Sequence, residues 1–148
     1  LYLRKIMNNN ISHFLDCLDK IQPSEDNLVC DLYDALELVE VESESEVESV
    51  MPRIFDFMRL HADSELGNPG PLVHFLEKFY PKMIAPLIDS IQKKATYHTV
   101  WMLNRVLNDS ALNEITRETL LDVLREIILS DNKEELKEQA RDYLEYQK

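Results

Sequence analysis

Val39-Glu40-Val41-Glu42-Ser43-Glu44-Ser45-Glu46-Val47-Glu48-Ser49-Val50 is the stretch on which the fold class turns. Its alternation has the period of a half-buried strand. Its exposed partners would all be Glu or Ser, and no second segment reads as a strand to pair with it. It therefore reads as a helix end, a short acidic loop and a new helix start. Ser43 with Glu46, and Ser45 with Glu48, each fit a capping box.

The segments on either side are helical by period. Ile11, Phe14, Leu15, Leu18 and Ile21 form one stripe, with Asn10 or Ser12 as its cap. Pro23 breaks it, and Ser24 can cap a second helix carrying Leu28, Leu32, Leu36 and Val39. A third carries Val50, Ile54, Phe57 and Met58, with Pro52 expected in its first turn. His61 to Gly70 reads as loop. Pro71 then opens a helix with Leu72, Phe75, Leu76 and Phe79, which Tyr80-Pro81 should end or kink. Ile84, Leu87, Ile88 and Ile91 continue an apolar face. Thr96 can cap a helix through Val100, Leu103 and Leu107, which Asn108-Asp109-Ser110 ends. Leu120, Leu121, Leu124, Ile127 and Ile128 make the sharpest stripe in the chain. Ser130 or Asp131 should cap a last helix with Leu136, Ala140, Tyr143 and Leu144 facing inward.

The expected fold is all-α, with seven or eight helices in antiparallel pairs forming one helical domain over residues 1–148. Only two glycines, Gly67 and Gly70, argue against hairpins and phosphate-cradling loops. Asp63-Ser64-Glu65-Leu66 is echoed 46 residues on by Asp109-Ser110-Ala111-Leu112, each time between two helices. That spacing suits a HEAT- or armadillo-like α-solenoid, with a compact irregular helical bundle as the alternative.

Charge narrows the function. The formal net charge is -12, and ten acids with no Lys or Arg lie between Ile21 and Pro52. Such a window repels nucleic acid and anionic membranes and attracts basic protein surfaces. The bland alternative is a solvated face that aids solubility. Basic residues are scattered among acids, so direct nucleic-acid binding is not expected. No apolar run approaches the roughly 20 residues of a membrane span. The opening Leu-Tyr-Leu-Arg-Lys-Ile is too short for a secretion signal. The chain starts on Leu1, which leaves open both residues ahead of it and a start at Met7. Cys17 and Cys30, the two cysteines, read as buried free thiols and favour a reducing cytoplasm.

No catalytic signature is present, so a non-enzyme without cofactor or metal is expected. His74 and Glu77 would share a helix face, yet a hydrogen-bonded structural His is the plainer reading. Two strings stand out. Gly67-Asn68-Pro69-Gly70-Pro71 should be a shaped loop, either a plain helix connection or part of a recognition surface. At helical spacing Tyr97, Trp101, Asn104 and Arg105 share a face, and Tyr, Trp and Arg are the types enriched at binding hot spots. Core packing is the alternative for Trp101. The candidate partner-binding residues are Glu42, Glu44, Glu46, Glu48, Asp63, Glu65, Tyr97, Trp101 and Arg105. The four Glu side chains are expected to be exposed. In a paired-helix array Asp63 and Glu65 could converge with the Tyr97 row.

Residues 67–77 and 99–108 together resemble small acidic immunity proteins of bacterial toxin systems, including those of contact-dependent growth inhibition. The resemblance covers about the central third of the chain. It implies a non-catalytic inhibitor that binds one cognate toxin domain in the producing cell's cytoplasm, as a monomer in a 1:1 complex. The toxins of such systems are often basic nucleases, which suits the acidic window. The family is diverse in fold and binding mode, so the site residues rest on charge and spacing alone. A helical-repeat scaffold or adaptor unrelated to toxins is the other function class.

Overall fold

The structure, a computed structural model, describes residues 2–21, 28–37 and 44–148. Among these the protein is all-α, with eight helices and no strand. The chain divides into two compact units, Leu1–Met83 and Ile84–Lys148.

The first unit contains α1 (Tyr2–Lys20), α2 (Leu28–Glu37), α3 (Glu44–Leu60) and α4 (Pro71–Glu77). Helix α1 packs on α2 and α3, and α2 on α4. The predicted α1 stripe is buried at Ile11, Phe14 and Leu18, while Leu15 and Ile21 are half-buried. Asn10 and Ser12 do not cap this helix, because it runs on to Tyr2. Asn inside a helix costs only about 0.7 kcal/mol relative to Ala, too little to start the helix later. Arg53 Nη2 reaches both carboxylate oxygens of Asp19, at 2.9 and 2.8 Å, and joins α3 to α1. Both groups are open to water, so this pair contributes at most about 1 kcal/mol.

The described part of the alternating stretch, Glu44–Val50, is helix, while 39–43 lies outside the described residues. So do Ser24 and Ser43, the expected caps. Ser45 lies inside α3 rather than at its start. Pro52 is likewise interior, not in the first turn. A Pro there leaves the Glu48 carbonyl without its helical donor, and exposure of Pro52 lets water take that role. Glu46 stands four residues ahead of Val50, and Val50, Ile54 and Met58 follow at the same spacing. The helical register therefore carries Glu46 into the core, where it is 7% exposed.

The loop from His61 to Gly70 ends as expected, with Gly70 at the N-cap of α4 and Pro71 in its first turn. Gly67 and Gly70 have φ of 103° and 91°. A Cβ on Gly70 would lie 1.9 Å from the Leu66 carbonyl oxygen, so no side chain fits. Phe75 of α4 packs against Phe14 of α1 and Phe79, with ring centroids 6.3 and 5.3 Å away. Helix α4 stops at Glu77, ahead of Tyr80-Pro81.

The second unit contains α5 (Ile84–Lys93), α6 (Tyr97–Leu107), α7 (Glu114–Leu129) and α8 (Glu134–Tyr146). The turn at 130–133 folds α8 back along α7, the most extensive helix contact among the described residues. Leu120, Val123, Leu124 and Ile127 of α7 are buried, as is Ala140 of α8. Ser130 and Asp131 do not cap α8. Ser130 closes α7, and Lys133 begins α8 without a side-chain cap. Glu134 and Glu135 in the first turn supply the negative charge favoured there.

Two outcomes test this packing. Leu124 is fully buried, so Leu124→Ala should lower stability by about 2–5 kcal/mol in chemical denaturation. Gly70→Ala should lower it by at least about 2 kcal/mol, because its backbone angles are open essentially to glycine alone.

Candidate protein-binding site

Helix α6 begins with a reciprocal cap. Thr96 Oγ1 accepts from the Thr99 amide, and Thr99 Oγ1 accepts from the Thr96 amide. Both threonines are buried, which fixes where the helix starts and so where each later residue points. Val100, Leu103 and Leu107 are buried on one side. Tyr97, Trp101 and Arg105 follow at intervals of four on the other side. Tyr97 is 54% exposed, while Trp101 and Arg105 are partly exposed. The Tyr97 and Trp101 rings lie 6.1 Å apart between centroids. Trp101 is thus neither a core residue nor a free one.

Asn104 does not share this open row. It is buried, and its Oδ1 accepts from Gln147 Nε2 at 2.8 Å. The same Nε2 donates to Asn108 Oδ1 at 2.9 Å. Arg117 of α7 closes the junction by donating to Gln147 Oε1, to the Gln147 carbonyl and to the Leu107 carbonyl. The C-terminal ends of α6 and α8 are thereby tied to the start of α7. Farther back on α8, Gln139 Nε2 donates to the Tyr97 carbonyl at 2.9 Å and to Tyr143 Oη at 3.3 Å. Gln139 Oε1 is buried without a hydrogen bond, so this brace acts through the amide nitrogen alone.

Gln139, Tyr143, Gln147 and Arg117 were not among the sequence candidates. The signal for three of them was the spacing of four that runs Gln139, Tyr143, Gln147 along α8 and its C-cap, parallel to the Tyr97 row on α6; Arg117 of α7 carried no such signal. Tyr143 was expected to face inward and is half-buried at the helix edge. Burial raises its phenol pKa above the usual 10, the Gln139 bond lowers it, and nearby Tyr97 and Asp142 raise it further.

The acidic candidates belong to the first unit. Glu42 lies outside the described residues, and Glu44 is the first residue of α3. Glu46 is buried, so it is not a surface contact as expected, whereas Glu48 is exposed. Asp63 and Glu65 are exposed in the loop, and Glu65 Oε1 accepts from the Gly67 amide at 3.1 Å. Glu65 therefore helps shape the turn. Tyr97, Trp101 and Arg105 belong to the second unit. Charge is unevenly shared between the two. The first holds sixteen acids and seven Lys or Arg, the second twelve and nine, which puts three quarters of the net charge in the first.

His74 Nδ1 stands 3.7 Å from Glu77 Oε1 on one face of α4. Among the described residues no three His, Cys, Asp or Glu side chains gather as a metal-binding cluster. Cys30 is exposed and Cys17 half-buried, not both buried as expected; Cys17 Sγ lies 3.6 Å from His13 Nε2. No described helix is long and apolar enough to cross a membrane. The chain matches no protein-family model, no curated protein and no solved structure.

The raised Tyr143 pKa has a consequence at high pH. The folded state holds this proton more tightly than the unfolded state, so stability is intact below pH about 10 and falls as pH rises through the folded value. Tyr143→Phe should remove a late-titrating phenol from the ultraviolet titration and flatten the alkaline loss of stability.

Proposed function

We propose that this protein is a non-catalytic immunity protein that binds and blocks a cognate toxin domain. The observation that carries the reading is the open Tyr97–Trp101–Arg105 row, held in place from behind by Gln139 and the Gln147 junction. These bonds hold the α6 backbone, so the helix presents the row without first having to reorganise, which favours an anchor surface. The resemblance of residues 67–77 and 99–108 to immunity proteins supplies the class of partner.

The strong negative charge supports a basic partner, such as a nuclease domain that itself grips phosphate. Exposed Asp34 and Glu48 belong to the unit with most of that charge. They would raise the rate of encounter more than the final affinity. The inhibitor would cover the nuclease's active site or substrate groove as a 1:1 complex in the cytoplasm. Buried Glu46 takes no part in this contact.

Two measurements separate anchoring from steering, with the toxin product of the adjacent upstream gene as partner. Tyr97→Ala or Arg105→Ala should weaken binding about thirtyfold or more in isothermal titration and leave helical circular dichroism unchanged. Wild-type affinity in both variants would remove the anchor surface from α6. Asp34→Lys with Glu48→Lys should slow association in stopped-flow mixing and flatten its salt dependence. An unchanged on-rate would leave these acids a role in solubility alone. Equal binding of many unrelated proteins would favour a scaffold over an inhibitor.

A further inference from the structure

Helix α1 carries two metal-ligating side chains away from its core face. Ile11, Phe14 and Leu18 bury one side of the helix. His13 and Cys17 stand four residues apart on another side, His13 exposed and Cys17 half-buried. Residues at that spacing are neighbours across one helical turn. Here their donor atoms meet, with Cys17 Sγ 3.6 Å from His13 Nε2. Cys17 is in no disulfide, so its sulfur is free to bind.

That separation has a chemical meaning. A tetrahedral zinc ion holds sulfur at about 2.3 Å and imidazole nitrogen at about 2.0–2.1 Å, which sets the two donors about 3.5–3.6 Å apart. The pair therefore already stands at the edge length of a zinc tetrahedron, on one stretch of helical backbone. We propose that His13 and Cys17 form a two-residue chelate for zinc(II) on the outer face of α1, with water completing the tetrahedron. On binding, the thiol gives its proton to solvent. The sulfur and the neutral imidazole Nε2 then each donate a lone pair to the ion. Thiolate and imidazole select zinc over magnesium, which prefers oxygen donors. No metal was expected from the sequence, and the site does not rest on the toxin reading.

The charges nearby leave the two donors in control. Asp16 is three residues beyond His13 and favours a cation, while Lys20 is three beyond Cys17 and opposes one. Both are exposed, so water screens each of them. Asp19 is engaged with Arg53 of α3 and adds no net charge. Affinity comes from the chelate itself. Once one donor holds the ion, the other is already within reach.

The test uses Cys30→Ser protein, in which Cys17 is the only thiol. Alkylation of Cys17 by iodoacetamide is timed against zinc concentration. Zinc should protect the thiol saturably, and magnesium should not. His13→Ala, at an exposed position, should leave helical circular dichroism unchanged and raise the zinc concentration for half protection at least about tenfold. Cobalt(II) in place of zinc should give a thiolate-to-cobalt charge-transfer band that Cys17→Ser abolishes. The same half-protection in His13→Ala would reduce the site to a lone thiol and overturn the chelate. Failure of zinc to protect Cys17 even at millimolar concentration, or a cobalt band indifferent to Cys17→Ser, would leave a hydrogen-bonded pair only and overturn it as well.

Discussion

One side-chain amide joins the exposed edge of α6 to α8. Gln139 reaches across from α8 to the Tyr97 carbonyl and touches Tyr143 with the same nitrogen. A hydrogen bond of this kind contributes only about 1 kcal/mol to stability. Its larger effect is positional. The Thr96 cap fixes the start of α6, Gln139 fixes its first turn against α8, and Gln147 fixes its last turn. Between those points, burial of Val100, Leu103 and Leu107 turns Tyr97, Trp101 and Arg105 away from the core. Their exposure follows from how α6 is held.

The two units divide the labour in charge as well as in residues. The first carries most of the negative charge, and the second carries the braced aromatic edge. Charge acts at a distance of about 8–10 Å and governs encounter, whereas aromatic and guanidinium anchors act in contact and govern lifetime. The proposed inhibitor role would draw on both. The burial of Glu46 shows that not every acid in the charged window lies on the surface. Its register with Val50, Ile54 and Met58 assigns it to the packing of α3.

Features set by local chemistry were legible in the sequence. Thr96 as a cap, Pro71 in a first turn, and Leu120, Leu124 and Ile127 as a core stripe each depend on neighbours within a few residues. Features set by distant partners were not. The Gln139 bond to Tyr97 spans 42 residues, and the Gln147 bond to Asn104 spans 43. No periodicity within α6 indicates that Asn104 is buried and bonded to Gln147 while Arg105 is partly exposed. Glu46 and Pro52 failed for a different reason. Each is a poor residue for the place it occupies, and packing of Val50, Ile54, Phe55 and Met58 carries the helix through both. The acidic type of Glu46 suggested surface, while its spacing pointed inward, and spacing decided.

The most direct test of the account is side-chain footprinting of Tyr97 and Trp101 by hydroxyl radicals, in the free protein and in the saturated toxin complex. Both residues should react readily when free, and their oxidation rates should fall several-fold in the complex. A saturated complex in which both side chains oxidise at their free rates would contradict it.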